Sequence, residues 1–322
     1  MSNKKSSRDV GCVSLGKPLP ALSRYVIRPF LGTASRLSMQ LEDQFAVSLS
    51  GTSYSDPVLS RRKGTIRRAM DSILSLMKRP DTIVDVEGFK MRLDSKDALM
   101  LSVLSTYERR QTAVMKSDVK EGESVVDLGA NIGYYTLLLS RLVGKNGRVF
   151  AFEPHPELYQ ILSENVESNN CTNVTLANKA VADVPGKTSL YLDTNGSAHC
   201  LYDPHNESPF IQTESVVLDD YLREDSSTVT FVKLDIEGFE MKALEGAAGI
   251  LRNQGLRIIT EFNPHKLRGA GNSPEQYLQF LFKKGFSLFD IEDHMRPVQS
   301  TSKIEDYVRK YQKDSTNLLC RR

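Results

Sequence analysis

The residues of this chain best equipped for chemistry are carboxylates set at regular places. Asp127 leads into the loop Gly129-Ala-Asn-Ile-Gly133, Glu153 follows Gly129 by twenty-four residues, and Lys233-Leu-Asp235-Ile-Glu237-Gly238 sets two acids beside a lysine. The apolar run Ser124–Leu128 ahead of the loop reads as a strand feeding a helix, with Gly129 and Gly133 placed so that a ligand approaches backbone where no Cβ stands. Glu153, at the end of the next strand, suits the two hydroxyls of a ribose. A dinucleotide site requires G-x-G-x-x-G so that a pyrophosphate settles on the helix N-terminus, but Asn131 occupies the place of the second glycine.

A nucleoside without phosphate and with a positive charge fits better. S-adenosylmethionine carries a ribose, an ammonium and a sulfonium, and Asp127, Glu153, Asp235 and Glu237 supply the negative lining it prefers. Period-2 alternation puts Lys233, Asp235 and Glu237 on one face, costly in a plain core; the competing reading is a salt-bridged strand end. An alcohol that accepts a methyl group must lose a proton, which makes Asp235, Glu237, Glu261 or a histidine a candidate base, and the residues leave that choice open. His265, four residues past Glu261, is a tentative member of the set or an ordinary loop histidine. His199 is a candidate for a substrate lid and His155 for flanking the adenosine; Tyr107-Glu108, which resembles an element that precedes the core domain in a known family named below, either closes over the cofactor or is a plain helix surface.

These residues need a scaffold, and the pattern supplies one. Strands are expected at Ser124–Leu128, Arg148–Phe152, Val174–Ala180, Val229–Leu234, Leu256–Glu261 and Phe286–Ile291. Helices are expected at Ile132–Leu142, Pro156–Ser168, Phe239–Arg252 and Pro274–Lys284. This alternation predicts an α/β fold, a doubly wound, Rossmann-like and mostly parallel sheet with helices on both faces. A hairpin at Thr82–Val86 and Phe89–Leu93 and a helix over Asp97–Lys116 precede it; Lys187–Leu192 is a candidate extra strand and Asp193–Thr213 a polar loop. The domain division is 1–80, an N-terminal extension, and 81–322, the α/β domain, with its core at 120–322. The net charge of +2 hides an asymmetry, because residues 1–80 hold fourteen Lys/Arg against five Asp/Glu, and the remainder twenty-eight against thirty-five. Ile66, Met70, Ile73, Leu74 and Met77 fall at helical spacing among arginines, so Leu59–Lys78 reads as a basic amphipathic helix. It either packs on the main domain or meets an anionic membrane surface or protein partner.

Other classes recede. Cys12, Cys171, Cys200 and Cys320 lack metal or disulfide-framework spacing, and the histidines form no metal motif, so no metal is expected. No basic-aromatic interleaving favours a nucleic acid. Without an apolar run of membrane-spanning length or a secretory leader, the expectation is a cytoplasmic protein, in a reducing compartment, peripheral to a membrane at most.

The sequence resembles the FkbM-type S-adenosylmethionine-dependent methyltransferases of the class I fold. The resemblance rests on Val126-Asp-Leu-Gly-Ala-Asn-Ile-Gly-Tyr-Tyr-Thr136, Gly147-Arg-Val-Phe-Ala-Phe-Glu-Pro154, Val232-Lys-Leu-Asp-Ile-Glu-Gly238 and Thr260-Glu261, and covers roughly Tyr107 to Arg322. It implies a seventh strand, Asn317–Cys320, returning antiparallel, and O-methylation of a hydroxyl on a sugar, lipid or other small acceptor. It also implies that Asp127, Gly129, Ala130, Asn131 and Gly133 form the cofactor loop, that Glu153 binds the ribose, and that Ala180 to Asp183 lie on the adenine side. The competing functions are a nicotinamide-dependent (NAD(P)) oxidoreductase and a noncatalytic binding or scaffold protein that keeps the cofactor fold.

Overall fold

The structure, a computed structural model, describes residues 76–322 except 105, 194, 195, 197, 300–302 and 313. The basic helix read at Leu59–Lys78, apart from 76–78, and the extension before it lie outside the described residues. Seven strands make the central sheet: β1 (Ser124–Leu128), β2 (Arg148–Phe152), β3 (Val174–Ala177), β4 (Val229–Leu234), β5 (Arg257–Phe262), β6 (Ser287–Asp290) and β7 (Thr316–Arg321). Their order is β3-β2-β1-β4-β5-β7-β6, with the two-residue strand Arg296–Pro297 beyond β6. The pairs from β3 to β5 are parallel, while β7 runs antiparallel to both β5 and β6. Chain order reverses between β1 and β4, and in such sheets ligands bind outside the carboxyl ends of the strands at that point.

Strand alternation sorts the core into two layers. Val126, Leu128, Val232 and Leu234 join one cluster with Leu244 of α4 (Glu240–Glu245), Leu267 of α5 (Pro264–Gly269) and Tyr277 and Leu281 of α6 (Pro274–Lys283). Val125, Val149, Ala151 and Phe231 face the other way, against Met115 of α1 (Arg109–Asp118), Leu137 of α2 (Tyr134–Val143) and Leu162 of α3 (Pro156–Ser168). Each fully buried aliphatic or aromatic side chain contributes about 1.5–3 kcal/mol, so this double layer dominates the stabilisation. The hairpin of Ile83–Val86 and Phe89–Arg92 completes the second layer through Val86 and Met91. Its free edge is taken up by one asparagine of α3 and the one that caps its end: Asn165 pairs with the backbone of Arg92, and Asn169 with that of Lys90.

Three expected elements are interrupted, each for a local reason. The helix over Asp97–Lys116 is a single turn, Leu101–Leu104, followed by α1, because Glu108 between them takes a left-handed φ of 39°. The helix over Phe239–Arg252 is α4 plus the 3-10 turn Ile250–Arg252; a Cβ on Gly246 would lie 2.9 Å from the Ala182 carbonyl, so the chain turns there against the neighbouring segment. The strand over Val174–Ala180 stops at Ala177. The Asn178 side chain donates to the carbonyls of Glu153 and Pro154 at 2.8 and 3.2 Å. Ala180–Val181 then enters a second, three-stranded sheet with Gly186–Tyr191 and Phe210–Val216, so the end of the expected polar loop is a strand. Among the described residues no helix is long and apolar enough to cross a membrane.

Candidate active site

A cleft of about 300 Å³ opens at the carboxyl ends of β1, β2, β4 and β5. That is the small end of the range for ligand pockets. Gly129, Ala130, Asn131, Glu153 and Ala180 line one end, with Asp235, Glu237, Glu261 and Lys266 also in its wall.

The β1–α2 loop is closed on itself. The N–H groups of Gly129 and Ala130 donate to the Phe152 carbonyl, that of Asn131 to Glu153 Oε2 at 2.8 Å, that of Ile132 to the Asn131 side chain, and that of Gly133 to the Ala130 carbonyl. Five consecutive donors are therefore spent inside the protein, and none of them is left for a pyrophosphate. Asn131 adopts φ 51°, a left-handed conformation that asparagine tolerates better than most residues. The glycines, however, serve packing. A Cβ on Gly129 would collide with the Asp235 carbonyl oxygen, and one on Gly133 would lie 2.7 Å from Leu162 Cδ1. Gly133 is outside the cleft lining, so its reading as a ligand-approach position is corrected.

Glu153 is the buried carboxylate of this end. Asn131 N–H holds one oxygen and His155 N–H the other at 2.9 Å. Burial pushes its pKa up to about 7, so a ligand offering hydroxyl donors would relieve the cost of its charge. A carboxylate held in this way can accept hydrogen bonds from a vicinal diol. Asp127 sits deeper, outside the lining. It is fully buried, accepts from Thr136 at 2.7 Å and lies 3.7 Å from Lys233 Nζ. It thereby anchors Lys233 under the loop. Lys233 also donates to the Gly129 carbonyl at 3.0 Å and lies 3.6 Å from Asp235. Burial disfavours its ammonium, but Asp235 and Asp127 outweigh that and raise its pKa.

At the other end Asp235, Glu237 and Glu261 bring carboxylate oxygens within 4.8 Å of one another. The cation lying against two of them is Lys266, in contact with Glu237 and 3.2 Å from Glu261. The strand period does not create this grouping, because β4 ends at Leu234 and Glu237 turns back with φ 59°. Gly238 permits the turn: a Cβ there would strike the Lys266 carbonyl, so α5 packs directly on this backbone. Asn263 caps α5 by accepting from the N–H groups of His265 and Lys266. That start angle sends Lys266 into the cleft and leaves His265 exposed and outside the lining, so the structure does not bring His265 together with Glu237 and Glu261. Asp183 is likewise exposed, and the second sheet contributes Ala180, Val181 and Leu190 to the cleft wall.

Residues ahead of the core domain close one wall. Tyr107, Tyr134 and Tyr135 pack with ring centroids 5.1–6.0 Å apart, and the Tyr135 hydroxyl donates to Glu108 at 2.7 Å. Burial and then the charge of Asp235 push the Glu108 pKa up to about 7. His199 lines the cleft and its ring stacks on His155, centroids 4.4 Å apart. Burial and the neighbouring imidazole lower the His199 pKa to about 4, so it is neutral at ordinary pH.

The methyltransferase FkbM domain family matches residues 127–288, half of the chain. Methyltransferase 1 of Beauveria bassiana is 28% identical over 143 residues, which is 38% of this chain and 57% of the fungal protein. A protein-L-isoaspartate O-methyltransferase of Aeropyrum pernix is 44% identical over 57 residues, 18% of this chain and 22% of that protein. The chain thus spans under two thirds of the length of either relative. Among solved structures, a SAM-dependent O-methyltransferase from Thermotoga maritima superposes with a TM-score of 0.39 at 16% identity, covering 76% of this chain and 78% of that one. The cofactor of this chain is S-adenosylmethionine, and Glu153 with residues 129–131 lines one end of the cleft. The chain belongs to the FkbM methyltransferase family and has the class I, Rossmann-like α/β fold.

Proposed function

We propose that this chain transfers a methyl group from S-adenosylmethionine to a hydroxyl of a neutral sugar, lipid or other small acceptor. The observation that carries the reading is the two-ended cleft, with a backbone-held carboxylate suited to a ribose at one end and three carboxylates around a lysine at the other. When bound, S-adenosylmethionine supplies an activated sulfonium methyl. Glu153 binds the ribose hydroxyls, residues 129–131 fix the position of Glu153, and the Tyr107–Tyr135 wall excludes water. At the acidic end, Glu237 and Glu261 accept hydrogen bonds from the acceptor and one of them takes its proton, while Asp235 lies at the edge facing the methionine moiety. Positioning of two reactants then accounts for most of the acceleration. Five carboxylates line the cleft against three lysines, which disfavours a phosphorylated or carboxylated acceptor.

The test is a methyl-transfer screen of the full chain with methyl-labelled S-adenosylmethionine across neutral glycans, lipids and their anionic counterparts. Label appearing in an alkali-stable ether on a neutral acceptor is the expected outcome; transfer only to nitrogen, carbon or carboxylate overturns the O-methyl assignment. Residues 1–80, with their excess of nine positive charges, we read as the contact for an anionic membrane surface. Full-length chain should bind anionic vesicles at low salt and release them as salt screens the charges; failure to bind at low salt overturns that contact.

A further inference from the structure

Lys266 was not among the residues that the sequence singled out, yet the fold commits several features to placing it. Gly238 has no Cβ because the Lys266 backbone lies against it, with φ +101° at that glycine, and Asn272 donates to the Gly238 carbonyl at 3.3 Å, tying the same turn to the far end of α5. Asn263 sets the first turn of α5. The result is an ammonium 24% exposed, lodged between two carboxylates that are each 13% exposed.

Two carboxylates confined to one site do not both stay ionised unless a cation lies between them; otherwise the pair retains a proton. A pair that already holds a proton is a poor acceptor of another. We propose that Lys266 is a positioning residue for methyl transfer: its ammonium, seated between Glu237 and Glu261, opposes protonation of that pair and so favours the ionised form that can take the proton of an acceptor hydroxyl. This rests on the methyl-transfer reading above. In the step, the acceptor O–H bond breaks and a carboxylate O–H bond forms. The three-residue cluster goes from a net charge of −1 to 0, and the proton leaves to solvent after the product has departed.

The surroundings make the lysine necessary. Asp235 at the end of β4, Glu240 of α4 and Glu108 ahead of α1 are further acids near the pair; Lys233 is the other buried cation of the cleft, and it is already engaged with Asp127 and Asp235. The Tyr107 hydroxyl faces the same acids and, as a neutral donor, adds no positive charge. Burial, and then Glu261, hold the pKa of Glu237 well above the ordinary carboxyl value, and burial, and then Asp235, raise that of Glu261; Lys266 opposes both shifts without cancelling either. Burial also works against the ammonium of Lys266, but Glu261 and Glu237 more than compensate, so it remains charged throughout the working range.

The experiment is a pH titration of full-length protein carrying carboxyl-13C glutamate, followed by NMR, with Glu237→Gln and Glu261→Gln assigning the two resonances. In Lys266→Met the first protonation of the pair should move up by at least about one pH unit, a tenfold change in proton affinity, and Lys266→Arg should restore it. S-adenosylhomocysteine, which needs no acceptor, serves as the fold and cofactor-end control and should bind all three proteins within about twofold. If Lys266→Met does not fold, Lys266→Gln gives the same reading. An unchanged titration in a chain that binds S-adenosylhomocysteine overturns the role of Lys266 alone. A chain that titrates as expected but does not bind S-adenosylhomocysteine overturns the methyl-transfer reading and, with it, the purpose of the pair.

Discussion

Glu153 at one end of the cleft is fixed by two backbone N–H groups, whereas Glu237 and Glu261 at the other end are fixed by the side chain of Lys266. The first arrangement depends on the path of the chain and is insensitive to which side chains line the cleft. The second depends on one residue and changes character when that residue changes. The backbone-held end therefore keeps its chemistry through many side-chain changes, and the side-chain-held end does not. Lys233 lies beneath both, joined to Asp127 and Gly129 on one side and to Asp235 on the other.

Lys233→Met should break the comparison altogether. It strands the fully buried Asp127 without its cation, and losing one partner of a buried pair costs about 3–5 kcal/mol, to be read as a lowered urea midpoint. Gly129→Ala comes next, at roughly 2–4 kcal/mol, because the new Cβ meets the Asp235 carbonyl in a left-handed conformation. Calorimetry should show a lower melting temperature even without ligand; a variant as stable as wild type that merely fails to bind would restore the ligand-access explanation. Glu153→Gln should leave the fold intact and weaken S-adenosylhomocysteine by roughly 1.5–3 kcal/mol in isothermal titration, the usual worth of a hydrogen bond to a charged group.

The pH dependence sharpens the contrast further. Glu153 and Glu108, pushed up to about 7, are protonated more readily in the folded chain than outside it. Their contribution to stability is complete below the ordinary carboxyl value of 4.5 and is lost as pH rises through about 7. The melting temperature of the ligand-free chain should therefore fall between pH 5.5 and pH 8 on the order of a few degrees. Saturating S-adenosylhomocysteine should flatten the part due to Glu153 and leave that of Glu108, which Glu108→Gln would remove. The smallest effect is expected for His265→Ala: exposed and outside the cleft, it should change stability by less than about 0.5 kcal/mol and leave ligand affinity unaltered.

Where apolar runs are bounded by glycine and by helical periods, the sequence located elements to the residue, as for β1, β2, β4 and α3. A buried parallel strand carries its own signature, since both of its faces must be apolar. The breaks were illegible because their causes are distant in sequence. Asn178 ends a strand by reaching Glu153 and Pro154, and Gly246 turns a helix because Ala182 is close by. Among the site residues, Glu153 and the loop were readable from strand-end spacing. Lys266 was not, since only the cap at Asn263 and the approach at Gly238 decide that it, and not the adjacent His265, enters the cleft. Asp127 was legible as a strand-end carboxylate, but its pairing with Lys233 was not: a carboxylate there looks the same in sequence whether it meets a ligand or a lysine.

The antiparallel strand β7 has a consequence for how the sheet guards its edges. Residues 316–321 lie in the interior of the sheet, pairing with β5 on one side and β6 on the other, with Leu318, Leu319 and Cys320 fully buried. Unpairing β7 would expose the backbone edges of both neighbours at once, and open strand edges are templates for pairing with other chains. A charge placed at Leu318 or Leu319 is therefore expected to favour aggregation over a mere loss of stability.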